Sequence, residues 1–213
     1  MESFKSGIYP VKSKGQWRKQ QITDAAKAMF MEKGYQNTHI GELCERLKIA
    51  RGTVYQYFNN KKEIIYNVVD NVKAQVEMAL DFESLKSYLS AYPIGDIKEI
   101  INKRLFDCVK ILIGEPIMVK LIFKEMQVID GDIIAYVNKA VETIVRDLAE
   151  DITMLQKMNY FRSDLEPFMA SNILVGGVMM AVYQYNKKGV DISSPDSTEA
   201  VTMQYLNGVI ASK

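Results

Sequence analysis

The chain has 213 residues, 48% of them hydrophobic, with 27 Lys and Arg against 26 Asp and Glu, a single His and two Cys. That length and apolar content suffice for a buried core in one or two domains, and the scarcity of His and Cys excludes a zinc site built on several such ligands. The charge is unevenly divided: residues 1–62 carry 12 Lys and Arg against 5 Asp and Glu, and the remaining 151 carry 15 against 21. A near-neutral total therefore conceals a basic end on an acidic body, the electrostatic footprint of a nucleic-acid-binding region.

The first residues are polar and basic, with Lys5, Lys12 and Lys14 in a stretch containing Ser and Gly, followed by Arg18 and Lys19 beside Trp17. No signal peptide is expected from such a start, and a loose, solvated arm is favoured over one that enters a minor groove. Ile22, Ala25, Ala26, Met29 and Phe30 recur at helical spacing and predict an amphipathic helix that stops at Gly34, a residue suited to the left-handed conformation at a helix end. A second, short helix is expected from Thr38 as N-cap, with Ile40, Leu43, Cys44 and Leu47 on its buried stripe. Lys48 and Ile49 make a tight connection to a third helix over 51–58, which turns Val54 and Phe58 inward and leaves Arg51, Thr53, Gln56 and Tyr57 outward. Asn60 followed by Glu63 predicts the capped start of a fourth helix, with Lys61 and Lys62 in its first turn against the dipole preference. Cations tolerated there suit an anionic partner.

The spacing I-x-x-A-A-x-x-x-F-x-x-x-G-Y-x-x-T from Ile22 to Thr38, followed by G-T-V-Y-x-Y-F-x-x-K from Gly52 to Lys61, resembles the tetracycline-repressor (TetR) family of bacterial regulators. The resemblance covers about the first third of the chain. It implies a helix-turn-helix domain over 1–62 and a helical effector-binding and dimerisation domain over 63–213. Double-stranded operator DNA, an unidentified small-molecule effector and a second copy of the chain are the partners it implies, with no enzymatic activity and no cofactor. Thr38, Arg51, Gly52, Thr53, Tyr55, Gln56, Tyr57 and Lys61 are the expected DNA contacts. By chemistry, Arg51 and Lys61 suit phosphates, while Thr53 and Gln56 suit base edges. Three positions depart from the family pattern: Leu47 stands for a small residue, Lys48 for the turn glycine and Ala50 for the capping serine. Loss of that cap costs about 0.5–2 kcal/mol and puts affinity more than fold in doubt.

Beyond Lys62 the pattern stays helical, giving an all-α chain of about nine or ten helices. Breaks are expected at Pro93-Ile94-Gly95, Gly114-Glu115-Pro116 and Asp130-Gly131-Asp132, and helix entrances at Ser163 to Pro167 and at Ser194-Pro195. Phe106, Met118, Leu121, Ile122, Phe123, Met126 and Tyr136 form a soft apolar set that suits either a ligand cavity or plain core, with Glu125 at its border. Phe168 to Tyr185 is apolar almost all round, and Gly176 and Gly177 would let another helix approach. With Met180, and with Leu206 and Ile210 of the last helix, it predicts a dimer interface. Ser171 and Asn172 interrupt its apolar run, which is shorter than the roughly 20 residues that span a bilayer, so a cytoplasmic protein with no membrane partner is expected. His39 stands alone, without a nucleophile or metal partner at useful spacing, and Cys44 and Cys108 read as reduced thiols. The expected function is a transcriptional regulator, a repressor released by a small apolar or amphipathic molecule. The competing reading is a helical ligand-binding or partner-binding protein that no longer reads DNA.

Overall fold

The computed structural model describes residues 13–91, 97–123, 130–190, 199–200 and the positions Met203, Tyr205, Asn207 and Gly208. Among them are nine helices: α1 (Lys14–Lys33), α2 (Ile40–Leu47), α3 (Arg51–Tyr55), α4 (Lys61–Ala79), α5 (Phe82–Ala91), α6 (Ile97–Gly114), α7 (Pro116–Ile122), α8 (Gly131–Lys157) and α9 (Pro167–Lys187). The described residues hold no strand. The chain divides into two compact units, Met1–Ile64 and Ile65–Lys213, and the boundary falls inside α4.

In the first unit, Ser13 opens α1 with a reciprocal cap: its hydroxyl accepts from the Gln16 N–H at 3.2 Å while its own N–H donates to Gln16 Oε1 at 2.8 Å. Ile22, Ala26, Met29 and Phe30 are buried as one stripe, and Gly34 closes the helix at φ 84°, its N–H donating to the Phe30 carbonyl at 3.0 Å. The second helix begins two residues later than its expected cap. Thr38 is buried with its hydroxyl donating to the Gly34 carbonyl at 2.9 Å, so it cannot cap α2. His39 takes the cap position, and its N–H donates to Glu42 Oε2 at 3.2 Å. Arg46 of α2 grips Glu32 of α1 with both terminal nitrogens, at 2.7 and 2.9 Å.

Lys48 makes the connection in the left-handed region, φ 53° and ψ 46°, where a Cβ is strained. Ala50 precedes α3 in extended conformation with no side-chain cap, as its identity dictates. The third helix ends at Tyr55 rather than running on to Phe58; turns take over, with the N–H groups of Tyr57 and Phe58 both donating to the Val54 carbonyl at 3.0 Å. Phe58 is buried all the same.

In the second unit α8 and α9 form the most extensive helix pair, and α6 and α7 pack beside them. Ile133, Val137, Val145, Ile152 and Leu155 of α8 and Ala170, Leu174, Val178 and Val182 of α9 are buried. Turn chemistry sets the boundaries. Pro116 opens α7 directly after Gly114 and Glu115, and Asp130 caps α8 by accepting from the Asp132 N–H at 3.0 Å. Pro167 occupies the first position of α9, so the cap falls to Glu166, which accepts from the Phe168 N–H at 3.0 Å, and Ser163 plays no part in it. The expected break at Pro93-Ile94-Gly95 and the entrance at Ser194-Pro195 lie outside the described residues.

The helix α9 is longer than its apolar run, and by length and composition alone it could cross a membrane. Five of its residues, Ala170, Ser171, Leu174, Val178 and Val182, are instead buried within the helical unit. Its other face, Met169, Ile173, Gly176, Gly177 and Met180, is exposed, so the described residues leave that side of the helix open.

The left-handed Lys48 yields a stability prediction. Lys48→Gly should raise the unfolding free energy of the first unit by up to about 1 kcal/mol, because relief of the positive φ outweighs the extra flexibility glycine brings to the unfolded chain. Chemical denaturation checks it; a destabilised variant would show that Lys48 makes contacts worth more than the strain.

Candidate nucleic-acid interface and ligand cavity

On the first unit, Arg51, Gly52, Tyr55 and Gln56 are exposed along and just after α3, and Thr53 and Tyr57 are half-buried. The Arg51 guanidinium lies against Gly41 of α2: a Cβ built there would come within 2.8 Å of Arg51 Nη2. Any side chain at Gly41 would push that guanidinium away. Sequence reading passed over Gly41, whose only signal was a glycine early in a short helix, where it lowers helix propensity without evident return. The Tyr57 ring lies beside Gly15 in the first turn of α1. Trp17 is exposed and adjoins Arg18, while Lys19 lies over the Phe58 ring, 5.4 Å from its centroid.

Two of the expected contact residues are engaged within the unit. Thr38 faces inward, as described. The Lys61 ammonium donates to the carbonyls of Tyr35 at 2.6 Å, Thr38 at 2.9 Å and Gln36 at 3.3 Å, and it sits 4.2 Å from the centre of the Tyr35 ring. Partial burial holds its pKa below the usual lysine value, yet the three carbonyls favour the charged form. The start of α4 is fixed around it: the Glu63 N–H donates to Asn60 Oδ1 at 3.0 Å, and the Glu63 carboxylate accepts from the Asn59 N–H at 2.9 Å.

The second unit holds an apolar cavity with about 660 Å³ of empty space, its open mouth included. Val69, Val72 and Val76 of α4, Leu105, Cys108 and Leu112 of α6, and Leu174, Val178 and Met179 of α9 are among its walls. Met118 and Ile122, two of the apolar set singled out from the sequence, line it. Phe106, Phe123 and Tyr136 do not. The Phe106 ring lies under the Lys110 ammonium, Phe123 stacks on Tyr183 at 4.3 Å, and Tyr136 stacks on Tyr66 at 4.1 Å and donates to Asp70 at 2.8 Å. Met126 and Glu125 lie outside the described residues, as do Leu206 and Ile210 of the expected dimer interface. The valines of α4, which do line the cavity, gave no signal distinct from ordinary core.

The Cys108 thiol borders this cavity, and burial pushes its pKa up to about 12, so it stays a protonated, inert thiol at neutral pH. Cys44 and Cys108 are both free, and among the described residues no group of three or more His, Cys, Asp or Glu is placed to hold a metal ion.

Residues 22–67 match the family model described as "Bacterial regulatory proteins, tetR family", and over this region the chain is similar to that family. The regulator HbdR of Aromatoleum sp. (strain CIB) is 38% identical over 55 residues, which span 26% of this chain and only 24% of that protein. Likeness over the whole chain is one of fold. The fatty acid degradation regulator FadR from Bacillus halodurans superposes over 93% of this chain and 97% of its own, with a TM-score of 0.71 and 19% identity. FadR from Bacillus subtilis, solved in complex with stearoyl-CoA, covers 89% and 98%, with a TM-score of 0.67 and 18% identity.

The clamp around Lys61 separates two roles for that residue. Lys61→Ala should lower the unfolding free energy of the first unit by about 1.5–3 kcal/mol, the usual worth of a hydrogen bond to a charged group. A lysine acting purely as a phosphate contact would leave stability unchanged and instead reduce the log-log salt slope of duplex binding by about 0.9. Denaturation and salt titration of one variant tell these apart.

Proposed function

We propose that the protein is a homodimeric, cytoplasmic transcriptional regulator, a repressor that a small apolar or amphipathic effector releases from operator DNA. The observation that carries this reading is the exposed polar face of α3 on a basic unit whose sequence matches a family of bacterial regulatory proteins. In this reading residues 1–62 form the reading head and 63–213 the effector and dimerisation domain. Arg51 takes a phosphate and Gly52 lets the DNA backbone come close. Thr53 and Gln56 reach base edges, and the Tyr55 and Tyr57 hydroxyls donate to the backbone. Lys61 positions the head first and reaches phosphate only through what its clamp leaves free.

The cavity walls, apolar apart from Lys73, support an effector with a substantial hydrocarbon part. Val69, Val72 and Val76 place one wall on α4, the helix whose first turn carries Lys61. An effector that fits one arrangement of α4 better than another shifts the population of DNA-competent dimers, by no more than its difference in affinity for the two. The open face of α9, with Met169, Ile173 and Met180 exposed around Gly176 and Gly177, supports a second copy as its cover. A partner-binding protein that has lost DNA reading is the second reading, favoured by the missing cap at Ala50.

Base reading and dimerisation each give a prediction. Gln56→Ala should cost about 1–3 kcal/mol on the selected site and almost nothing on unrelated duplex, since a base-edge contact carries sequence information. Equal losses on both duplexes, in a fluorescence-anisotropy titration, would move Gln56 to the phosphate class. For Gly177, a Cβ would meet none of the described residues beyond its own helix backbone within 4 Å, so a larger side chain has room on the single chain. Gly177→Leu should leave the single chain folded and weaken the dimer by about 1–3 kcal/mol through overpacking. Sedimentation equilibrium reads the change, and an unaltered dimer would place the interface elsewhere.

A further inference from the structure

A second cavity in the same unit shares four walls, Leu80, Leu105, Leu148 and Leu174, with the first. All four shared residues are leucines, which change rotamer without exposing a polar group. The first cavity has one charged residue in its lining, Lys73, whereas this one has Arg104, Asp151 and Tyr205. Arg104 is committed to the fold. Its Nη1 donates to the Leu80 carbonyl at 3.0 Å and its Nη2 to the Asp81 carbonyl, where α4 has just ended. The Tyr205 hydroxyl donates to the Ala170 carbonyl at 3.3 Å. Among the described residues, no hydrogen bond and no ion pair within 4 Å reaches the Asp151 carboxyl.

From this arrangement we infer that the effector is an amphipathic amine, its hydrocarbon part in the apolar cavity and its ammonium on the Asp151 carboxylate in the adjoining one. The inference rests on the regulator reading above and narrows its effector class. Charge decides the sign of the head group. Among the described residues Arg104 is the cation acting on Asp151 and the strongest charge on it, while Asp147 and Glu150, both on α8, act on it as weaker like charges; Asp81 partly offsets the guanidinium. Both terminal nitrogens of Arg104 are spent on backbone carbonyls, so the lining group left with free hydrogen-bonding capacity is the Asp151 carboxyl, which favours a cationic donor over a second anion. Burial pushes the Asp151 pKa up to about 7, so near neutral pH an arriving ammonium lowers it and drives a proton off. At the other cavity, Lys73 could have held an anionic head, but its ammonium is paired with Glu77. From Val69 to Leu80 the apolar cavity follows α4 for about 16 Å at 1.5 Å per residue, a length that suits an extended alkyl chain.

The test uses the full chain at pH 7 with three probes of equal chain length, decylamine, 1-decanol and decanoate, each below its aggregation threshold, followed by isothermal titration. Decylamine should bind about tenfold or more tightly than 1-decanol, the usual worth of a hydrogen bond to a charged group, with decanoate weakest. Its binding should release protons, seen as a buffer-dependent heat. Asp151→Asn keeps the shape of the side chain and should abolish the amine advantage and the proton release, leaving 1-decanol affinity unchanged. Decanoate binding as tightly as decylamine, absence of binding by all three, or an amine preference that survives Asp151→Asn overturns the inference. Duplex binding by the ligand-free chain is measured in parallel. If the duplex is not bound at all, the regulator reading fails and takes the effector role with it, whereas a bound duplex with no amine preference overturns the amine alone.

Discussion

The ammonium of Lys61, seated on the carbonyls of Tyr35, Gln36 and Thr38, is the contact on which the first unit depends. The chain between α1 and α2 turns sharply there and leaves backbone acceptors without helical partners. One cation from the first turn of α4 satisfies three of them. Its position at a helix N-terminus runs against the dipole by about 0.3–1 kcal/mol, which a charged hydrogen bond of about 1.5–3 kcal/mol more than offsets. Asn60 and Glu63 hold that turn in place, so α1, α2 and α4 are tied at one point. With this link fixed, α3 needs only Val54 and Phe58 in the core to present its polar residues outward.

Further along, α4 changes role. Its residues from Val69 to Val76 turn from holding a link to walling a cavity, and Arg104 closes the chain after its last turn. The helix α9 divides its labour by face: Ala170, Leu174, Val178 and Val182 fill the core, and Met169, Ile173 and Met180 stand exposed. Covering each of those exposed side chains with a second copy would contribute roughly 1.5–3 kcal/mol before the cost of association. Function on this account comes from what the packing leaves undone: a polar face on α3, an unfilled apolar space, and a helix covered on one side.

Most of the fold was legible because helix ends are written in short-range chemistry. Gly34, Pro116, Asp130 and Pro167 each mark a boundary within a residue or two of where the chain turns. The errors came where two local signals competed. Thr38 looked like a cap, but its hydroxyl found the Gly34 carbonyl one turn back and His39 took the position instead. The face of α3 could be read from Val54 and Phe58, although the helix itself is shorter than the spacing suggested. The cavity was far less legible. Phe106, Phe123 and Tyr136 carry the same apolar signature as Met118 and Ile122, and only the packing shows that the three aromatics find partners of their own. Asp151 gave no signal at all, since an acid on a charged stretch of helix reads as solvated until its neighbours are known.

The central claim is that this chain reads duplex DNA as a dimer through α3. Selection of genomic fragments by the purified full-length protein, followed by hydroxyl-radical footprinting of what is retained, tests it most directly. The account predicts an enriched sequence with twofold symmetry and two protected half-sites lying one helical turn, or a multiple of it, apart on the duplex. Retention of fragments without any shared sequence, or a single protected half-site bound as tightly as a pair, would contradict it.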